Sequence, residues 1–213
     1  MKTRDRILEK ALEMMNQKGL ENVSTYDIAR ALDIRQSNIT YYFPAKADIV
    51  NALGKRMIEE VDQPFEAVAP HEFSFGYFYR LVDHVMQVHL RYRFLMLNYA
   101  AIITADRELN EHFIRVLKAR PGQHAGIITL LDANGYLRGS EMMPHNENIL
   151  YIENIVAIYW MQEAAIYHAH LPDAEKRRHY LKLFFQPFIP YLTPQGEEDL
   201  LPLLKDQEPV GQA

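Results

Sequence analysis

The stretch S-T-Y-D-I-A-R-A-L-D-I-R-Q-S-N-I-T-Y-Y-F-P-A-K, residues 24 to 46, predicts two short helices separated by a tight turn. The hydroxyl group of Ser24 can cap the first helix, and Asp27, three residues later, completes a capping box over the exposed backbone amides. This helix is predicted to run through Leu32. The stretch therefore predicts a helix-turn-helix unit, and the rest of the chain is interpreted around it.

The second predicted helix runs from Gln36 to Phe43 and stops before Pro44, which cannot continue it. Ile39 and Phe43 face inward. The outward face carries hydrogen-bonding groups and no carboxylate, from Gln36, Ser37, Asn38, Thr40, Tyr41 and Tyr42. A DNA major groove presents donors and acceptors at the base edges between walls of phosphate, so this composition is expected of a recognition helix.

The same residues resemble the DNA-binding signature of the TetR family of bacterial transcriptional regulators. The matching positions are Ser24/Thr25, Ile28, Ala29, Ile34, Ile39, Tyr41, Tyr42, Phe43 and Lys46. Four positions depart from the family pattern. Asp33 replaces the turn glycine, Arg35 the usual serine cap, Thr40 the usual tyrosine, and Tyr42 a common histidine. Aspartate tolerates a left-handed backbone better than most residues, whereas Arg35 cannot cap a helix and is expected to reach DNA.

The predicted DNA-binding residues divide into two groups. Those expected to face bases are Arg35, Gln36, Ser37, Asn38 and Thr40. The resemblance implies that Thr25, Tyr41, Tyr42 and Lys46 hold phosphates and that Tyr26 touches either. Lys46 also begins the next predicted helix, where the helix dipole and the free amides attract phosphate.

Length and composition indicate a small domain fused to a larger one. The chain has 213 residues, of which 48% are hydrophobic and 11% aromatic, enough for an ample core. Cysteine is absent, which excludes a disulfide framework and a thiol nucleophile. No apolar signal region follows Met1, and no stretch approaches the ~18 apolar residues of a membrane span, so we expect a cytoplasmic protein without membrane contact.

Charge is distributed unevenly along the chain. The net charge is −5, but residues 1 to 56 carry ten Lys/Arg against seven Asp/Glu, a balance of +3, and the remainder carries thirteen against twenty-one, a balance of −8. A basic head on an acidic body suits a protein that approaches DNA by one end.

Helical periodicity and breaker residues predict an all-α fold with a DNA-binding domain at 1–46, an effector-binding and dimerisation domain at 47–192, and an acidic tail at 193–213. The helix at 47–63 is predicted to connect the two domains. Pro121 and Gly122 are predicted to break one helix into two, and residues 135–148 to form a loop. The Pro-containing tail is predicted to be disordered.

Catalysis and metal binding find little support in the sequence. Of the nine histidines, His84 and His89 lie on different faces of one predicted helix, and His168 and His170 straddle a helix end. The chain lacks an H-E-x-x-H motif, Glu-x-x-His pairs, a Gly-rich phosphate loop and a G-x-S-x-G turn. We therefore predict no enzyme activity, no metal and no cofactor.

Two further sites are predicted in the larger domain. The helix at 148–168 is apolar on two faces, one of which is expected to meet a second copy in a four-helix bundle, the arrangement that the resemblance implies. The predicted dimer residues are Ile152, Val156, Leu181, Phe184 and Phe188. Polar groups on apolar helix faces suggest an effector pocket. The predicted pocket residues are His89, Tyr92, Asn98, Tyr99, Tyr159, Trp160 and Glu163.

Three functional hypotheses remain open from the sequence. The favoured one is a homodimeric repressor that binds a palindromic operator in double-stranded DNA and is released by a small-molecule effector. The second is a DNA-binding dimer controlled by a protein partner, and the third, more distant, is a helical enzyme or metal protein that contains a helix-turn-helix.

Overall fold

The computed structural model describes residues 2–62, 69–138 and 146–205, and these ranges form an all-α fold, as predicted. They contain no β-strand, and an isolated antiparallel bridge pairs Leu137 with Leu192. The helices are α1 (Thr3–Lys18), α2 (Thr25–Ala31), α3 (Gln36–Tyr42), α4 (Lys46–Asp62), α5 (Phe75–Arg91), α6 (Arg93–Leu97), α7 (Tyr99–Ala105), α8 (Arg107–Ala133), α9 (Asn146–Tyr167), α10 (Asp173–Phe185) and α11 (Pro194–Leu204). Short 3₁₀ helices lie at Pro70–Glu72 and Gln186–Tyr191.

The chain divides into two compact units. The first unit comprises Met1–Gln63 and Val88–Val116, and the second comprises Pro64–Gln87 and Leu117–Ala213. Helices α5 and α8 each contribute residues to both units. The first unit thus contains the predicted helix-turn-helix together with α4, α6 and α7.

In the first unit, α1 forms a floor that packs against α2, α4 and α6. Its inward face carries Ile7, Ala11 and Met15, each fully buried. The side chain of Asn16 donates to the carbonyl oxygen of Arg91 (2.7 Å) and accepts from the backbone amide of Phe94 (3.0 Å). These two bonds satisfy backbone groups where α5 ends and α6 begins.

The second unit is built around a cluster of phenylalanine rings. Phe78 of α5 lies at its centre, with ring centroids 5.1 Å from Phe185, 5.7 Å from Phe184 and 6.1 Å from Phe188, all edge to face. Such ring pairs stabilise by about 0.5–1.5 kcal/mol beyond the area they bury. The cluster joins α5, α10 and the following 3₁₀ helix.

The predicted break at Pro121 and Gly122 is wrong, because α8 continues through both residues. Proline in a helix interior removes one backbone hydrogen bond and costs about 3 kcal/mol. Buried residues on either side, Leu109 before the proline and Ile128 and Leu131 after it, hold both stretches of the helix. Of the predicted loop, residues 139–145 lie outside the described residues, and α9 already begins at Asn146.

The prediction of a disordered tail is wrong for residues 194–204, which form α11. Thr193 caps this helix, since its Oγ1 accepts from the Gly196 amide (3.1 Å), and Asp199 accepts from the amide of Gly76 (2.9 Å). Leu200 and Leu204, four residues apart, are buried. The prediction relied on the acidic, Pro-containing composition and overlooked this apolar pair at helical spacing. Residues 206–213 lie outside the described residues.

Candidate nucleic-acid interface

The capping box that begins α2 forms as predicted. The backbone amide of Asp27 donates to Ser24 Oγ (3.2 Å), and the backbone amide of Ser24 donates to Asp27 Oδ2 (2.9 Å). The hydrogen bond from the Ser24 side chain, followed by that from its backbone, holds the pKa of Asp27 below its ordinary value. The carboxylate thus stays charged and fixes where the helix starts.

The turn after α2 depends on a left-handed residue. Asp33 has φ of 53°, the conformation in which the family pattern places glycine. The backbone amide of Ile34 then donates to the carbonyl oxygen of Ala29 (3.0 Å), which closes the end of the helix. Asp33 therefore preserves the tight turn between the two helices.

Helix α3 presents the outer face predicted from the sequence. Ile39 is fully buried and Phe43, which follows α3, is 3% exposed. Exposed side chains cover the other side, and Tyr41 reaches 81% exposure. The exposed residues on this face are Gln36, Ser37, Asn38, Thr40, Tyr41 and Tyr42. No carboxylate lies within α3.

Arg35 occupies the position directly before α3. Its backbone is extended, with ψ of 144°, and its side chain makes no capping bond to the helix. The side chain is exposed. A guanidinium group therefore stands at the start of the helix where the family pattern has a serine cap, and it is free to act as a fork-shaped donor.

Residues beside α3 extend the polar surface. Tyr26 of α2 is 59% exposed, and Thr25 is half-buried with its Oγ1 at 3.5 Å from Gln36 Nε2, at the limit of a hydrogen bond. Tyr41 and Tyr42 meet edge to face with ring centroids 5.1 Å apart. Thr25 and Gln36 thus lie side by side, and the tyrosine pair follows on α3.

Lys46 has a structural role that the sequence did not reveal. It begins α4, and its Nζ donates to the carbonyl oxygen of Leu20 (3.1 Å) in the loop after α1. The side chain is half-buried. An ammonium group has three donors, so this bond leaves two for a phosphate.

Arg4 is a cation near α3 that sequence reasoning missed. Its guanidinium carbon lies 5.2 Å from the centroid of the Phe43 ring, at the end of α3. Alternating cations in the first residues of the chain, Lys2, Arg4 and Arg6, were the available signal. Arg4 adds positive charge beside the recognition helix.

The second unit contains a cavity of about 350 Å³. Helices α5, α8, α9 and α10 and the segment around Phe73 line it. The side chains from α5 are Phe78, Leu81, Val82 and Val85. Its volume lies at the lower end of the range of small-molecule sites, about 300–1,000 Å³, and its lining is mainly apolar, as in such sites.

The residues predicted to bind an effector do not line this cavity. His89, Tyr92, Asn98 and Tyr99 belong to the first unit, and Tyr159, Trp160 and Glu163 to the second. Several have protein partners instead.

Tyr92 is fully buried, and its hydroxyl donates to Glu60 Oε1 (2.7 Å). Burial, followed by this hydrogen bond, raises the pKa of Tyr92. Asn98 donates to the carbonyl oxygen of Phe94 (2.7 Å), and the Tyr99 ring meets Phe113 edge to face. The Trp160 ring packs on Tyr180, whereas Tyr159 and Glu163 are exposed on α9.

Three of the five predicted dimer residues are placed differently from the prediction. Leu181, Phe184 and Phe188 are at most 4% exposed and belong to the core of the second unit, so they cannot meet a second copy. Ile152 is 54% exposed and Val156 is half-buried. Leu181 and Phe184 thus lie on the inward face of α10, and Phe188 lies in the 3₁₀ helix that follows.

In the described ranges, no group of three or more His, Cys, Asp or Glu side chains could hold a metal ion. Within those same ranges, no helix is both long and apolar enough to cross a membrane.

The fold and the exposed face of α3 define a helix-turn-helix DNA-binding protein. Residues 7–53 match the model of the bacterial regulatory proteins of the tetR family, and residues 56–200 match the TetR model described as a bacterial transcriptional repressor. Since these matches cover most of the chain, the protein belongs to the TetR family of DNA-binding transcriptional regulators.

Individual relatives agree with this assignment. The "Probable HTH-type transcriptional regulator YttP" of Bacillus subtilis (strain 168) is 24% identical over 208 residues, covering 93% of this chain and 82% of that protein. A TetR-family regulator from Marinobacter aquaeolei VT8 has a similar structure, with a TM-score of 0.84 and 24% identity over 96% of this chain and 98% of that one. A transcriptional regulator from Saccharomonospora viridis, solved in complex with choline, has a TM-score of 0.62 and 17% identity over 89% and 97% of the chains.

Proposed function

We propose that the protein is a homodimeric repressor that inserts α3 into the major groove of a palindromic operator and is released by a small molecule. The observation that carries the proposal is the exposed, carboxylate-free face of α3, held by a buried Ile39. The positive balance of residues 1 to 56 favours approach by this end of the chain.

The side chains of this face divide by chemistry. Asn38 is exposed and can bond bidentately to adenine, and Arg35 can do the same to guanine. Thr40 Oγ1 donates to the carbonyl oxygen of Gln36 (3.1 Å), so Thr40 offers its methyl group, which suits a thymine methyl. Gln36 and Ser37 complete the proposed base-reading set. Thr25, Tyr26, Tyr41, Tyr42 and Lys46 are proposed to contact phosphates, with Tyr26 also within reach of bases.

A homodimer is supported by an exposed apolar stripe on α9. Ile152, Ile155, Tyr159 and Ile166 recur at spacings of three, four and seven residues and are between 44% and 76% exposed. Leu183, on the outward face of α10, is 40% exposed, and α10 packs against α9. We propose that this stripe and Leu183 form the four-helix contact with the second copy, because contiguous apolar patches on a protein surface mark interaction sites.

Substitution Ile155→Glu tests the dimer. A buried unpaired charge in such a contact should weaken self-association at least tenfold, measured by sedimentation at micromolar concentration. Gln17→Glu, which adds the same charge at an exposed position of α1, serves as a control and should remain dimeric. A wild-type chain that sediments as a monomer would contradict the proposed homodimer.

Control by a small molecule is supported by the cavity of the second unit. Structural relatives include the regulator solved with choline and the ketosteroid transcriptional regulator KstR2 of Mycobacterium tuberculosis. For this chain the proposed mechanism is linkage. A ligand that binds more tightly to the form unable to span the operator lowers DNA affinity by its differential affinity.

Operator binding is tested by fluorescence anisotropy with duplexes from the region upstream of the protein's own gene. Asn38→Ala should weaken binding by ~1–3 kcal/mol and relax discrimination at one base pair. Lys46→Ala should weaken all sequences alike and lower the salt slope by about one. Gln17→Ala, at an exposed position of α1, is the control. A base preference altered by Lys46→Ala, or Asn38→Ala and Gln17→Ala behaving identically, would contradict the assigned roles.

A further inference from the structure

Two glycines of α8 line the cavity of the second unit without any packing reason. A Cβ added at Gly122 or Gly126 would meet no described atom within 4 Å. By contrast, a Cβ at Gly196 would lie 2.2 Å from the Tyr136 carbonyl oxygen, and one at Gly54 would lie 3.2 Å from Leu109. Close packing therefore explains Gly196 and Gly54, but it does not explain Gly122 and Gly126.

Glycine in a helix interior is destabilising by about 1 kcal/mol relative to alanine. Gly122 and Gly126 are one helical turn apart, so together they leave a strip of bare backbone on the cavity side of α8. Side chains there would reduce the free space of the cavity. A molecule can therefore lie closer to the helix axis at this strip than any other residue pair would permit.

The chemistry of the lining restricts what that molecule is. Among the lining residues that the structure describes, none carries an ionisable side chain, and the polar side chains are the carboxamides of Gln123 on α8 and Asn154 on α9. An unpaired charge placed against the buried apolar wall of Phe73, Phe78 and Phe184 would lose hydration without compensation, whereas a carboxamide both donates and accepts hydrogen bonds.

The neighbour of Asn154 adds no charge at neutral pH. Glu153 is 1% exposed, and burial raises the pKa of its carboxyl group to about 9. The group is therefore protonated at pH 7, so this turn of α9 brings no carboxylate that would attract a cation.

We propose that the cavity takes an uncharged, mainly apolar molecule that lies on the bare strip at Gly122 and Gly126 and binds Asn154 and Gln123 through one hydroxyl or carbonyl group. The phenylalanines 73, 78 and 184 form its walls. This inference rests on the proposed function, for which it names the chemical class of the effector.

Matched probes of equal carbon skeleton test the class. Decanol, decanoate and decylammonium form one series, and naphthol and naphthoate form another; binding to the full chain is measured by isothermal titration calorimetry. In at least one series the neutral member should bind at least tenfold more tightly than its charged counterparts. Charged members that bind as well as the neutral ones, or no binding by any probe, would overturn the proposal.

Substitutions on α8 locate the bound probe. Gly126→Leu fills the strip, and because open space surrounds this position the variant should keep its helicity and melting temperature. It should lose at least tenfold in affinity for the neutral probe. Ala125→Leu adds the same bulk at an exposed neighbour that does not line the cavity, and it should bind as the wild type does. Equal affinities of the two variants would overturn the site.

Probe binding is measured without DNA, so its outcome separates from that of the proposed function. A neutral probe that binds at the strip but leaves operator affinity unchanged supports the ligand class and counts against effector control by such molecules. Operator release by a charged compound, with no neutral probe bound, would overturn the ligand class and leave the regulator intact.

Discussion

Each of the two units is stabilised internally by a different kind of interaction. In the first, Glu60 of α4 accepts from Tyr92 (2.7 Å), Arg91 (2.8 Å) and Arg56 (3.3 Å), and Arg56 also pairs with Glu9 of α1 (2.5 Å). In the second, the phenylalanine rings around Phe78 meet edge to face.

This difference has a physical consequence for each unit. Charge-assisted hydrogen bonds fix both distance and direction, so they suit a unit that must hold α3 in one orientation. Hydrophobic burial is non-directional, so rings can change position around a molecule in the cavity while apolar area stays buried. We therefore expect the first unit to be the more rigid of the two and the second unit to be the more adaptable.

The largest expected effect comes from removing a ring of the second unit. Phe185 is fully buried between Phe78, Phe184 and the stacked ring of Tyr79. Phe185→Ala should lower the free energy of unfolding by ~3–5 kcal/mol. The measurement is chemical denaturation followed by fluorescence of Trp160, the single tryptophan, which lies in this unit.

The matched control is Leu203→Ala on α11, where the side chain is 36% exposed and the loss should stay below about 1 kcal/mol. Equal losses in the two variants would show that the aromatic cluster does not carry the stability of the second unit.

The next effect depends on pH and on Glu153. Its pKa rises from 4.5 to about 9 on folding, so between these values the folded state holds a proton that the unfolded state has released. Stability should therefore fall as pH rises through this window. Glu153→Gln removes the dependence and should stabilise the protein at pH 8 by about 1–3 kcal/mol more than at pH 5.

Thermal denaturation of both proteins at the two pH values measures this difference. Glu163→Gln on the same helix is the control, because Glu163 is exposed. A wild-type stability that is flat or rising between pH 5 and pH 8, with Glu153→Gln parallel to it, would refute the neutral buried carboxyl.

The smallest effect tests the charged network of the first unit. Glu60→Ala removes the acceptor shared by Tyr92, Arg91 and Arg56, and it should cost about 1–2 kcal/mol. Glu59→Ala, at the exposed neighbouring position, should stay within about 0.5 kcal/mol of the wild type. Urea denaturation followed by circular dichroism compares the two variants. Indistinguishable midpoints would mean that the network contributes nothing measurable to the free energy of unfolding.

The helix-turn-helix was predictable because local interactions determine it. The Ser24 and Asp27 capping box, the left-handed Asp33 and the stop before Pro44 each act within a few residues, and all of them are visible in the sequence. The inward positions of Ile39 and Phe43 followed from helical spacing.

The second unit was less predictable because tertiary packing decides it. Helix α10 has apolar residues on several faces, so spacing could not show that Phe184 faces the core and Leu183 the outside. Gly122 follows a proline and suggested a helix end, whereas in the structure it lies within α8 and beside the cavity. A cavity depends on how helices that are distant in sequence pack together, and a local residue pattern does not predict this packing.

The side chain of Asn16 links α1 to the junction of α5 and α6 through two hydrogen bonds. Its Oδ1 accepts a hydrogen bond from the backbone amide of Phe94, at the start of α6, and its Nδ2 donates to the Arg91 carbonyl oxygen. A carboxamide can serve both partners at once, whereas an aspartate carboxylate lacks the donor and leucine lacks both groups. The Phe94 amide can exchange its hydrogen with solvent only when this bond opens. Its exchange rate therefore measures how often α1 separates from the junction of α5 and α6.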